Sequence, residues 1–60
     1  MSRRAVDALF QSLFLLTDIR ALLRETAPSH ALDPVQREHA ENLLAKCKKQ
    51  LAILEEELTR

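Results

Sequence analysis

The chain contains no glycine, and its only two prolines, Pro28 and Pro34, lie close together near the middle of the 60 residues. A sheet of several strands needs tight turns, and those turns depend largely on glycine and on pairs such as Asn-Gly or Asp-Gly. Without such residues, helices on either side of the proline segment are the economical solution. The sequence therefore predicts an all-α protein with one break.

The helix boundaries are marked by capping residues. Ser2 is a plausible N-cap, and the first helix can continue over residues 2–27 until Pro28 pushes the preceding residue out of the α region. In the segment LDPVQ, Asp33 and Gln36 have the spacing of a capping box, and Pro34 occupies the first helical position. A second helix is predicted over residues 34–59. The corner, residues 28–33, is short, which favours one antiparallel hairpin domain over residues 1–60.

Apolar residues alternate at spacings of three and four along both helices, which is the pattern of a coiled-coil seam. The seam expected on the first helix comprises Val6, Leu9, Leu13, Leu16 and Leu23, with Arg20 in a slot where an apolar residue is expected; that on the second comprises Ala40, Leu44, Cys47, Leu51, Leu54 and Leu58. A corner centred near residue 30 also brings Arg3 and Arg4 beside the acidic run of residues 55–57. Arg20 has three possible roles: a pair with Glu41 that fixes the register, a solvated edge or a partner contact.

The first helix carries more apolar surface than one neighbouring helix can cover. A flank of Ala8, Leu15, Ile19 and Leu22 lies on one side of the expected seam, and Phe10, Phe14 and Ala21 lie on the other. A core of this size rarely supplies more than ~3–5 kcal/mol by itself. We therefore expect a homodimeric four-helix bundle with the first flank as the dimer interface. A different protein on that flank, or an open helical assembly, is the structural alternative.

The aromatic pair is the best candidate for binding another protein. Aromatic residues flanked by arginine are typical interface anchors, and the predicted partner-binding set comprises Arg3, Phe10, Phe14, Ala21 and Arg24. The alternative is that both rings cap the ends of the bundle core.

Residues that could carry other chemistry are few. Nine basic residues balance nine acidic ones, so there is no general positive field to attract nucleic acid or anionic lipid. His30, His39 and Cys47 do not form a metal-binding pattern, and a hairpin offers no concave pocket for paired carboxylates. The sequence thus predicts no enzyme activity, metal or cofactor. The lone cysteine suits a reducing cytoplasm, and no apolar run is long enough to span a bilayer.

These observations favour a small non-enzymatic protein-protein interaction module, acting as a regulator or inhibitor of the anti-activator or adaptor type. Small plain chains of this kind are common among bacterial and phage proteins that modulate larger ones, which is an argument by analogy. A peripheral membrane anchor would need a basic helix face, which the first helix lacks.

A second hypothesis comes from a resemblance. The hairpin layout, the fragment LDPVQREHAENLLAKC and the mid-helix Phe14 resemble the Rop family of plasmid copy-number proteins. The resemblance implies a dimeric four-helix bundle that contacts RNA loops through its first helices. Asp7, Asp18 and Glu25 lie on the corresponding surface here, however, and their charge opposes phosphate. RNA binding is therefore the alternative rather than the leading function.

Overall fold

A computed structural model describes residues 2–59 of the chain. It contains two helices, α1 (Arg3–Glu25) and α2 (Pro34–Leu58), which pack against each other along their length. The result is a rod of 41 × 16 × 14 Å. No strand occurs within residues 2–59, and the predicted all-α hairpin is confirmed.

Both helix starts follow the predicted capping chemistry. Ser2 Oγ accepts a hydrogen bond from the Ala5 backbone N–H at 3.1 Å. At the start of α2, the Gln36 N–H donates to the Asp33 carboxylate at 2.7 Å, and the Asp33 N–H donates to the Gln36 side chain at 3.0 Å. These bonds satisfy backbone donors that have no partner inside a helix.

The helix ends differ slightly from the prediction. Helix α1 ends at Glu25 and α2 at Leu58, each followed by a threonine C-cap. The Ala27–Pro28 peptide bond in the corner is cis, and His30 has a positive φ of 56°. The His30 N–H donates to the Thr26 carbonyl at 2.8 Å, and its ring Nδ1 donates to the Leu23 carbonyl at 3.0 Å. The corner is thus tied to the last turns of α1.

The contact between the helices is built mainly from small and polar side chains. Most of the buried or half-buried residues recur at spacings of three and four, and we call these the seam: Ala5, Ala8, Ser12, Leu15, Ile19 and Leu22 on α1, with Thr26 at its C-cap; Gln36, Ala40, Leu43, Cys47, Gln50, Leu54 and Glu57 on α2. These are the a and d positions of a heptad pattern. The half-buried Val6, Leu9, Leu32 and Ile53 lie outside the seam. Within residues 2–59, five apolar residues are buried, with 5% or less of their surface exposed: Ala5, Ala8, Leu22, Leu43 and Cys47.

The predicted seam is wrong for most of its residues. Leu13, Leu16 and Leu23 remain 44–49% exposed, and Leu44, Leu51 and Leu58 remain 46–56% exposed. The flank assigned to a dimer takes their place: Ala8 and Leu22 are buried between the two helices of one chain, and Leu15 and Ile19 are half-buried. The physical reason is that small side chains let two helices approach closely, whereas two facing rows of leucine hold them apart.

The charge register agrees with the prediction in part. Arg4 Nη1 lies 3.3 Å from Glu57 Oε2 and 3.8 Å from Glu56 Oε1. Ser2 Oγ also donates to Glu57 Oε1 at 2.7 Å. Arg3 instead faces Asp7, one turn further along α1, at 4.0 Å. The start of α1 therefore lies level with the end of α2, where a cation offsets carboxylates that oppose the helix dipole.

Candidate protein-interaction surfaces

One side of the hairpin is largely polar. Among the residues that precede a seam residue by one position, Arg4, Gln11 and Asp18 on α1 and His39 and Lys46 on α2 are polar, whereas Phe14, Ala21 and Ile53 are apolar. A shallow open groove on this side is lined by Asp18, Ala21, Leu22, Glu25 and His39. Because the groove joins residues of both helices, it shows that the two polar rows border the same side of the contact.

The opposite side carries most of the exposed leucines. Residues that follow a seam residue by one position lie on this side of both helices, because the helices are antiparallel. On α1 these residues are apolar except Arg20, whereas on α2 leucines alternate with Arg37, Glu41, Lys48 and Glu55. We define the leucine face by Leu9, Leu16 and Leu23 of α1, Leu44, Leu51 and Leu58 of α2, and the neighbouring Leu13. Each row repeats every seven residues, which aligns its members along the helix.

The leucine face is an extended exposed apolar surface within residues 2–59. Six of its seven leucines keep 44–56% of their surface accessible, and Leu9 is half-buried. Contiguous apolar patches of this kind on soluble proteins mark interaction sites. Neither helix of the hairpin can cover this surface, because both already face each other through the seam.

The aromatic pair lies on the outer surface of α1. Phe14 is 63% exposed and Phe10 is 51% exposed. The other residues predicted to bind a partner, Arg3, Ala21 and Arg24, are also exposed. We call these five residues the aromatic face. The structure brings the rings together one turn apart and away from α2, so within one chain they do not cap the core.

Arg20 interrupts the leucine face. It is exposed, and within residues 2–59 it forms no ion pair with Glu41 or with another carboxylate. Arg20 follows the seam residue Ile19 by one position, and Glu41 follows the seam residue Ala40 by one position. Each therefore lies at the outer edge of the leucine face, on the side of its helix that faces away from the other helix.

The residues with other chemical potential occupy separate places. Cys47 is 3% exposed and belongs to the seam, His30 is in the corner and His39 is on the polar side. No group of three His, Cys, Asp or Glu side chains in residues 2–59 is arranged to hold a metal ion. Within the same residues, neither helix is long and apolar enough to cross a membrane.

Comparison with other proteins adds no assignment. No family model, no curated protein and no solved structure matches the chain. The resemblance to the Rop family therefore stays a resemblance of layout.

Sequence reasoning missed the leucine face because it placed the same leucines in the seam. Two signals could have separated the rows. The first is the stripe of Ala5, Ala8 and Ser12, which is suited to close contact between helices. The second is the polar row of α1, since a seam bordered by polar residues on one side and leucines on the other leaves the leucines free for a further neighbour.

Proposed function

We propose that this chain is a non-enzymatic interaction module that regulates or inhibits another protein by docking its aromatic face onto it. The observation that carries the proposal is the exposure of Phe14 and Phe10, 63% and 51% respectively, on the outside of a regular helix. Neither ring contributes to the helix contact, so packing of the hairpin does not explain them.

The chemistry of the aromatic face suits a protein partner. Removing a buried aromatic anchor from the centre of an interface commonly costs about 2 kcal/mol or more of binding free energy. An adjacent arginine adds directional hydrogen bonds to carboxylate or carbonyl groups. Arg3 and Arg24 flank the rings along α1, while Ala21 leaves space for an incoming side chain. The expected partner offers an apolar pocket bordered by acidic or carbonyl oxygens.

We further propose that the working form is a homodimeric four-helix bundle. The support is the leucine face, which extends over both helices on one side of the hairpin and stays exposed within residues 2–59. Phe14 lies on the side of α1 opposite Leu16 and Leu23, so a dimer formed through the leucines leaves it accessible. Self-association and partner binding then use different surfaces of the same helix.

The docking proposal is tested by photo-crosslinking from a single position in the cells that produce the chain. A benzophenone amino acid replaces Phe14, and the matched control carries it at Lys46, which is exposed on α2. A discrete heterologous protein captured from position 14 and not from position 46 is the expected result. Identical products from both positions, or crosslinks to the chain alone, contradict the proposal.

RNA binding is the second candidate, favoured by the exposure of Phe14, because an aromatic ring on a helix surface can stack on an unpaired base. Asp7, Asp18 and Glu25 oppose it. A ribonuclease-sensitive crosslink from position 14 would establish this alternative in place of a protein partner. Salt is an independent criterion, since affinity based on phosphate contacts falls steeply with ionic strength and apolar docking changes little.

A further inference from the structure

The hairpin exposes more surface than a compact chain of its mass. Its accessible surface is 4757 Å², whereas a compact monomer of 6.9 kDa has roughly 4,000 Å² by the usual scaling with mass. By the same scaling a compact dimer of two such chains has roughly 6,600 Å², so its formation would bury roughly 1,400 Å² of each copy, more than the ~800 Å² per partner of an interface of standard size. The leucine face is the apolar part of the surface available for this burial.

We propose that a second copy of the chain covers the leucine face with both corners at the same end of the bundle, so that α1 of each copy packs against α2 of the other. This inference rests on the proposed homodimer and adds its interface and its orientation. The occupant is argued from the seven-residue repeats on both helices and from the charges that border them.

Two arrangements join two leucine faces through a two-fold axis. In the first, the axis runs along the rod, both corners lie at one end, and α1 meets α2 of the second copy. In the second, the axis crosses the rod, the corners lie at opposite ends, and each helix meets its own copy. All neighbouring helices are antiparallel in both cases, so apolar burial alone does not choose between them.

In the opposite-end arrangement, no contact within the hairpin fixes the height at which α2 crosses its own copy. Glu41, Lys48 and Glu55 form the outer edge of the leucine face on α2, at intervals of seven residues. A crossing near Lys48, which brings Leu44 level with Leu51 of the second copy, places Lys48 against Lys48 and Glu41 against Glu55. Like charges placed opposite one another across an interface are unfavourable.

The same-end arrangement gives opposite charges instead. An axis along the rod keeps every residue at its own height, and the Arg4–Glu57 ion pair fixes the relative height of α1 and α2. At that register Arg20 lies level with Glu41, and both point outward from their own hairpin. In the second copy, Glu41 is on the helix that Arg20 faces. Two equivalent Arg20–Glu41 pairs then close the edges of the interface.

The leucines fit the same register. Leu9 lies level with Leu51 and Leu16 with Leu44, so these side chains meet across the two copies. Leu13 lies level with Lys48, whose aliphatic stem can cover a leucine while its amine stays in water. Arg20, which has no ion pair within residues 2–59, acquires one. The arrangement thus uses the single charged residue that interrupts the leucine rows on α1.

The orientation is tested by one distance between copies. In a Cys47→Ala background, Ala31→Cys places a spin label in the exposed corner. With helix axes ~8–10 Å apart, the same-end dimer puts the two labels roughly 20–25 Å from each other, whereas opposite corners are separated by about the 41 Å length of the rod. A distance near 41 Å would contradict the same-end arrangement and would leave the homodimer proposal standing. A 6.9 kDa species with no dipolar coupling overturns the homodimer itself.

A charge exchange tests the pairing with Cys47 intact. Arg20→Glu and Glu41→Arg should each weaken dimerisation by roughly tenfold, measured by sedimentation equilibrium, because each creates two like-charged contacts. The double variant should recover to within about threefold of the native chain. Lys46→Glu, which makes the same change in charge on the polar side, is the control and should leave the dimer constant unchanged. Failure of the double variant to recover overturns the Arg20–Glu41 pairing.

Discussion

Two adjacent residues, Leu22 and Leu23, show how much one position along a helix decides. Leu22 is 5% exposed and belongs to the seam, whereas Leu23 is 44% exposed and belongs to the leucine face. Their chemistry is identical, and the helix rotates by ~100° between them. Their different surroundings give a direct test of the seam.

Leu22→Ala should lower the free energy of unfolding by about 2–3 kcal/mol at every protein concentration, because it removes buried methyl groups and leaves a cavity. Leu23→Ala, the matched control, should matter only where the chain self-associates. Urea unfolding followed by circular dichroism at two concentrations, a hundredfold apart, measures both. If Leu23→Ala is the more damaging change at the lower concentration, the seam is placed on the wrong row.

Asp33 is a second residue whose contribution can be measured. Its carboxylate caps α2 through the Gln36 N–H at 2.7 Å, and loss of an N-cap of this type costs about 1 kcal/mol. Asp33→Ala should therefore destabilise the fold by about that amount in urea unfolding. Asp18→Ala removes an exposed carboxylate from mid-helix and should have little effect. Equal losses from both substitutions would contradict the capping role.

At the scale of the elements, the distance between α1 and α2 depends on small side chains. Ala5, Ala8 and Ser12 occupy three successive seam positions of α1, and the Ser12 hydroxyl returns to the Ala8 carbonyl at 2.8 Å. A hydroxyl that bonds within its own helix needs nothing from α2. This half of α1 can therefore approach α2 more closely than a row of leucines would allow.

Ala8→Leu tests this contact. Extra volume in a closely packed seam should separate the helices and cost about 1–3 kcal/mol, seen as a lower urea midpoint. Ala21→Leu adds the same side chain at an exposed position of the same helix and should be close to neutral. A stabilising effect of Ala8→Leu would mean that this row faces solvent or a looser contact.

At the scale of the whole molecule, the hairpin has a contact between helices and little enclosed core. No large side chain in residues 2–59 is fully buried, and the rod is 41 Å long but only 14–16 Å thick. Two helices touching along one line leave most of each circumference accessible. The proposed second copy would add stability by burying the area still exposed on the leucine face.

The melting temperature should consequently depend on protein concentration. Association that favours only the folded form stabilises it by mass action, so a hundredfold increase in concentration should raise the midpoint of thermal unfolding by several degrees. Circular dichroism in cells of different path length measures this. Leu16→Glu, on the leucine face, should abolish the dependence, and Gln11→Glu, on the polar side, should preserve it. A concentration-independent midpoint for the native chain contradicts self-association.

The sequence by itself determined the helical class, both N-caps and the position of the corner, because these depend on local chemistry. Proline restrictions and the Asp33–Gln36 capping box act within a few residues. Arg4 beside the carboxylates of α2 was also predictable, since a hairpin brings its two ends together. The exposure of Phe14 and Phe10 was left open by the sequence, because rings beside an apolar row can either cap the core or face outward.

Only the tertiary structure decided which row of α1 faces α2. The sequence offers two rows with heptad spacing, one rich in leucine and one with small residues at its start, and periodicity does not rank them. The choice depends on both helices together. It depends on how closely they can approach each other, and on whether the rotation of α1 that places a row against α2 also lets Arg4 reach Glu57. The small-residue row satisfies both conditions, and the leucines it displaces form the exposed face.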